Sequence, residues 1–391
     1  MKQLYMILVL IVVIAFVAPF QAFAQNSQPI DVPTIKSDAV ILLDANTGSV
    51  LYEKNSDTKL YPASLTKMAT AIYAIETGNL DDTVTVSANA YETGGTRVYL
   101  EEGEKVTLKH LIQGLLINSG NDAGVAIAEH LDGNVENFAK SLNSFLQKEV
   151  GVKQTHFSNP HGLFDENHYT TAYDLALITK YALKNPVFRE IFGTKELAWN
   201  GESWDTTLYS HHLLLRGEIP YEGITGGKTG FVQESRFTLS TSAEKGEMSL
   251  IAIVLKADRN EIAYEDTVEL LDYGFENFEV KEVATDTSFI GDKKESYHLS
   301  KPLKYTQMKN EEVQIAMNDQ GVLQVLGDDG RLLATKQMKM DIPKEALNTR
   351  AEINPANIHP KVPVPAILMV LFFGVSLVYL RKTIKNIKKS T

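Results

Sequence analysis

Two strand-like stretches stand far apart in this 391-residue chain, and neither is stable by itself. The first, "AVILLDANTGSVLYEK" from Ala39 to Lys54, holds two alternating apolar runs around Asn46-Thr47-Gly48, a hairpin signal. The second comprises "FTLSTSA" (237–243) and "MSLIAIVLKA" (248–257). An isolated hairpin is marginal in water, so the two ends must pair in one sheet. Between them the pattern is helical. One helix starts near Ser64, puts Leu65, Met68, Ala69, Ile72 and Ile75 on one face, and ends at Gly78. "TLKHLIQGLLI" (107–117) and "DAGVAIAEHL" (122–131) follow, and "YEDTVELLDYGFENF" (264–278) closes the region. The expectation is one α+β domain over 36–278, an antiparallel sheet flanked by helices.

From 279 to 345 short alternating runs such as "EVQIAM" and "VLQVLG", with turns at Asn318-Asp319 and Asp328-Asp329-Gly330, predict a small all-β domain. Residues 346–361 are a proline-bearing stalk. The two ends read as targeting segments. Residues 1–24 carry Lys2, a long apolar run and a small-x-small ending at Ala22-Phe23-Ala24, the pattern of a cleaved secretory signal, with an uncleaved anchor as the alternative. Residues 25–35 form a short polar leader. Val362 to Leu380 is an uncharged run long enough for a transmembrane helix. Arg381, Lys382, Lys385, Lys388 and Lys389 make 381–391 a cytoplasmic basic tail, which places the rest outside the cell membrane as a single-pass protein. Such a tail also argues against a processed lipid anchor.

The chain has no cysteine, which removes disulfides and thiolate metal sites. Its net charge of −11 becomes more acidic once the basic ends are set aside, which excludes nucleic acid as a partner. Nothing in the pattern reports oligomeric state. His156, His161 and His168 invite a metal reading, but no pair has an H-E-x-x-H or related spacing, so no metal or other cofactor is expected.

"PASLTK" places Ser64 and Lys67 three residues apart on a helix, hence on one side. A lysine amine so placed takes the serine proton if it is neutral, and burial with a second nearby cation would make it so. A serine at a helix start also has its own N–H at the positive end of the dipole, suited to an oxyanion. Ser-x-x-Lys is weak by itself. It recurs at Ser242–Lys245 in a strand, where the side chains do not align, and Ser-x-Asn occurs at Ser87, Ser119 and Ser141. Lys228-Thr229-Gly230 occurs once, before a strand. What carries weight is the order: Ser64–Lys67 on a helix, Ser119–Asn121 between helices, Lys228–Gly230 at a strand.

With these three motifs the sequence resembles the serine D-Ala-D-Ala carboxypeptidases among the low-molecular-mass penicillin-binding proteins. Support comes from "NSGNDA", "GGKTG", "THFSNPHGL" and "LLDYGF" over roughly residues 36–345. The resemblance implies a β-lactamase/transpeptidase-like catalytic domain. It implies that Ser64 attacks the penultimate D-Ala carbonyl of a peptidoglycan stem peptide, with Lys67 as base and Ser119 as proton relay. Asn121 would hold the substrate amide, Lys228 and Thr229 the terminal carboxylate, and Gly230 would admit the substrate as an added strand. The backbone N–H groups of Ser64 and Phe231 would form the oxyanion hole, and β-lactams would acylate Ser64.

Two departures stand out. Where relatives carry an arginine before the acidic residues of the last helix, this chain has Ala263, with Arg259 nearest. "YSHHLLL" (209–215) replaces a segment usually containing asparagines, which leaves His211 as either a site residue or a surface histidine. Three other readings compete. A D,D-endopeptidase would act on D-Ala-containing cross-links. Class A β-lactamases use a glutamate on the loop after the middle motif, and "KQTHFSNPHGLFDENHY" is not read as that element. A non-catalytic wall-binding protein would be expected to have lost Ser64 or Lys67.

Overall fold

The computed structural model describes residues 32–340 other than 203, 286, 291–294 and 319. The predicted signal peptide, stalk, transmembrane helix and basic tail lie outside the described residues. Among the described residues no helix is long and apolar enough to cross a membrane.

The two distant strand regions meet. Strands β1 (Ala39–Asp44), β2 (Val50–Lys54), β3 (Ile224–Val232), β4 (Arg236–Lys245) and β5 (Met248–Ala257) form one antiparallel sheet in the order β2-β1-β5-β4-β3. β1 lies along β5 from Ala39 opposite Leu255 to Asp44 opposite Leu250. Side chains alternate across a strand, and here both faces are buried. Ala39, Ile41, Leu43, Ile251, Ile253 and Leu255 enter one core, while Val40, Leu42, Leu250, Ala252 and Val254 enter the other. That is why "AVILL" and "LIAIVL" read as continuous apolar runs.

The first core is closed by helices α1 (Thr66–Thr77), α2 (Leu108–Ile117), α3 (Asn121–Asp132) and α4 (Ala172–Ala182). The second lies beneath α5 (Asn260–Asn277). Gly274 lets α5 approach the sheet: a Cβ there would stand 2.6 Å from Leu250 Cδ1 and 2.9 Å from Leu42 Cδ2. Two further hairpins sit within the helical region, Thr83–Thr85 with Lys105–Thr107 and Glu196–Asn200 with Asp205–Tyr209. Their strands run only three to five residues, too short to stand out as strand signals in the sequence.

Beyond α5, Phe278–Val283 pairs with Leu303–Met308, and Gln314–Met317, Val322–Leu326 and Leu332–Gln337 form a three-stranded sheet. Leu323, Val325, Tyr305 and Met338 give this segment a small core of its own. It is tied to the hairpin of β1 and β2 through Thr306, whose Oγ1 donates to the buried Asp44 carboxylate at 2.8 Å and lies 2.7 Å from Thr47 Oγ1.

Candidate active site

The helix expected to start near Ser64 begins two residues later. Ala63–Leu65 is a 3-10 turn and α1 starts at Thr66. Ala63 has φ +49, the left-handed region that a side chain disfavours. The neighbours clamp this turn. Thr66 Oγ1 donates to Ala63 O at 2.9 Å, and Thr238 Oγ1 donates to Pro62 O at 3.1 Å. Gly162, itself at φ +88, packs so tightly that a Cβ would stand 1.9 Å from Ala63 O. Behind Thr66 lies His168. Ser158 N–H donates to its Nδ1 at 3.1 Å, so Nε2 carries the proton and donates to Thr66 Oγ1 at 2.8 Å. Burial lowers its imidazole to about 3, so it is neutral in the folded protein.

Lys67 is fully buried, with Nζ 2.8 Å from Ser64 Oγ and 2.8 Å from His161 O. Burial, and then the Lys228 cation, hold its amine well below the usual lysine range, and Asp122 opposes them only weakly. The loop leading into α4 offers Lys67 the His161 backbone carbonyl, and Glu166 on that loop is exposed to solvent.

Ser119 stands between α2 and α3 at φ +63, and Asn121 is the first residue of α3. Asn121 is buried, and its Nδ2 donates to Gly94 O at 2.7 Å. Lys228, buried on β3, reaches across to Ser119 Oγ at 3.1 Å and to Thr229 O at 3.0 Å. Burial lowers it to about 7. Thr229 is partly exposed. Gly230 brings β3 against the turn, since a Cβ there would stand 2.9 Å from Ser64 N. β3 is the outer strand of the sheet, leaving one edge open beside Ser64, and Phe231 beyond it is 56% exposed. Ser64, Lys67, Ser119, Asn121, Lys228, Thr229 and Gly230 thus converge on one cleft.

The two departures resolve differently. Ala263 is buried among the apolar side chains beneath α5. Arg259 is exposed at the start of α5. His211 is open to water yet crowded by protein. That crowding, and then Lys228, Arg216 and Lys67, lower it to about 4. Its neighbour His212 is one of the residues sequence reasoning missed. Leu215 N–H donates to His212 Nδ1 at 3.1 Å, so its Nε2–H donates to Thr241 Oγ1 at 2.8 Å. A Cβ on Gly227 would collide with its ring, which places His212 directly behind the strand that carries Lys228. His156 is exposed and bonded to Asn167 O.

The buried Lys67 against Ser64, without an ion pair among the described residues, and Lys228 on Ser119 together form the arrangement of a serine acyltransferase. The sequence profile of the D-alanyl-D-alanine carboxypeptidase family matches residues 24–259. The chain belongs to this family. It is 35% identical over 286 residues to the D-alanyl-D-alanine carboxypeptidase DacF of Bacillus subtilis (strain 168), covering 71% of this chain and 72% of that one. Its fold is similar to penicillin binding protein 5 from Haemophilus influenzae (TM-score 0.70, 27% identity, 79% of this chain and 97% of that one). It is similar also to penicillin binding protein 6B from Escherichia coli (TM-score 0.66, 28% identity, 78% and 95%). As a member of this carboxypeptidase family the chain is a serine hydrolase with a mixed α/β, transpeptidase-like fold.

Proposed function

We propose that the protein removes the terminal D-Ala from peptidoglycan stem pentapeptides through an acyl-enzyme on Ser64. The observation that carries this reading is the 2.8 Å contact between Ser64 Oγ and a buried Lys67 amine held below its usual range. The substrate lies along the open edge of β3, its terminal carboxylate against Lys228 and Thr229 and its amide against Asn121. Ser64 Oγ attacks the penultimate D-Ala carbonyl and its proton passes to Lys67 Nζ. The oxyanion is held by the backbone N–H groups of Ser64 and Phe231. As the C–N bond breaks, a proton passes through Ser119 Oγ to the departing D-Ala amine. Water then attacks the ester with Lys67 as base and restores Ser64. A β-lactam enters by the same first step and stays on Ser64 as a covalent adduct. We further infer from the sequence that a cleaved signal segment exports the chain and that a transmembrane helix over 362–380 tethers this site outside the cell membrane, where stem peptides are found.

The test is D-Ala release from a stem pentapeptide by the full-length protein beside Ser64→Ala. Release by the wild type that vanishes in the variant is the expected result. A folded wild type that releases no D-Ala overturns the reading.

A further inference from the structure

On the outer wall of the Ser119–Asn121 segment lies a second concave surface that the mechanism above does not use. It is a cavity of about 580 Å³ lined by Gly95, Arg97, Asn118, Trp204, Thr206 and their neighbours. That volume falls within the range of small-molecule sites, about 300–1,000 Å³. It adjoins the middle motif of the cleft. Asn118 precedes Ser119, and a Cβ on Gly95 would stand 2.6 Å from Asn121 Nδ2.

Two aromatic rings are held open there by the scaffold. Tyr99 is 56% exposed at φ +60, a genuine outlier for a bulky residue. Its strain has an identifiable source. The buried Asp122 carboxylate accepts the N–H groups of Val98 and Leu100, both of which are buried, so the residue between them is thrown outward. Trp204 is 37% exposed, and its indole N–H is fixed on Val98 O at 3.0 Å. The two rings meet edge to face at 5.5 Å. Around them, among the described residues, no hydrogen bond engages the hydroxyls of Thr96, Thr206 and Thr207. Asn118 spends its Nδ2 on Arg97 O and keeps its Oδ1. The lining has one cation, Arg97, and no carboxylate.

Rigid, half-exposed rings beside free hydroxyls and an amide suit a ligand with an apolar face and a rim of hydroxyl and acetamido groups. A pyranose has that chemistry, and the stem peptide is attached to an amino-sugar chain. We infer that the Tyr99–Trp204 cavity is a saccharide subsite that binds a sugar ring of the peptidoglycan glycan strand beside the reacting stem. This rests on the carboxypeptidase reading for its substrate.

The experiment compares bare stem pentapeptide with the same pentapeptide on its N-acetylglucosaminyl-N-acetylmuramyl disaccharide, using full-length protein. The wild type is expected to prefer the disaccharide form by about tenfold in kcat/KM, through KM. That ratio should fall toward one in Tyr99→Gly, which suits the φ at that position, and in Trp204→Leu. A second arm needs no turnover. The chain has two tryptophans, and Trp199 is buried, so binding of an N-acetylglucosamine tetrasaccharide should perturb the emission of Trp204. Equal turnover of the two substrates, a preference that survives both variants, or emission indifferent to the tetrasaccharide each overturns the subsite. If folded wild type cleaves neither substrate, the carboxypeptidase reading fails, and the emission arm still decides the saccharide.

Discussion

The cations of the cleft and those of the terminal β segment stand in opposite circumstances. Lys304 and Arg331 lie at the surface, each beside a glutamate: Lys304 3.4 Å from Glu247, Arg331 2.8 Å from Glu311. Lys67 and Lys228 are buried and, among the described residues, neither has a carboxylate within ion-pair distance; their partners are hydroxyls and backbone carbonyls. A solvated, paired lysine stays a cation and contributes little to stability. A desolvated lysine without a counter-ion gives up its proton more readily, costs stability, and stands as the neutral amine that a reaction can use to accept a proton. The contrast shows that the cleft is built by withholding carboxylates from its lysines.

Removing the buried amine tests this contrast most severely. Lys67→Met, similar in length and apolar, is expected to slow Ser64 acylation about a hundred- to ten-thousand-fold while raising the unfolding temperature. Stopped-flow acylation with a chromogenic β-lactam and thermal unfolding measure the two effects, and a fall in both would break the comparison.

The next effect is on pH dependence. Lys228, lowered to about 7, loses its charge as pH rises past neutrality. KM for a substrate with a free carboxylate should therefore climb between pH 7 and 9, by up to about tenfold per unit. Lys228→Arg should flatten the climb, because guanidinium keeps its charge. Initial rates across that range check it.

The same desolvation acts on His161, His168 and His212, each lowered from 6.5 to about 3 by burial. Their folded state favours the neutral ring, so the stability they support is present above about 6.5 and is lost as pH falls toward 3. Between pH 7 and 5 each should cost up to about 2 kcal/mol. Urea unfolding at the two pH values measures the loss, and His168→Gln should reduce it by about one histidine's share.

The smallest effect belongs to the surface. Lys304→Ala, which breaks the pair with Glu247, should change unfolding free energy by no more than about 1 kcal/mol, and less in high salt. A larger loss would mean that the terminal segment depends on this contact for its docking.

Much of the site was legible before any coordinates. Ser64 and Lys67 are neighbours because of a spacing, and a spacing is written in the chain. Ser119 and Asn121 were likewise readable as a motif between two helical patterns, and Lys228-Thr229-Gly230 as one at a strand. The roles of His168, His212, Gly162 and Asp122 were not, although "THFSNPHGL", "NSGNDA" and "YSHHLLL" contain three of them and His168 stood out as a possible metal ligand. Their roles consist of contacts with residues far away in sequence: His168 with Thr66, Gly162 with Ala63, Asp122 with Val98 and Leu100.

The sequence by itself determined the main strands and several of the helices, that the two distant strand regions share a sheet, and which side chains to bring together as a candidate site. Hydrophobic periodicity and short spacings are local properties, and a sheet cannot be left half-made. Only the tertiary structure decided that Lys67 has a weakened hold on its proton, that Lys228 reaches Ser119, that position 263 faces the core, and that Tyr99 is pushed into solvent. Each of those depends on what surrounds a residue once the chain has closed, because desolvation and long-range hydrogen bonds exist only between groups that folding has brought together.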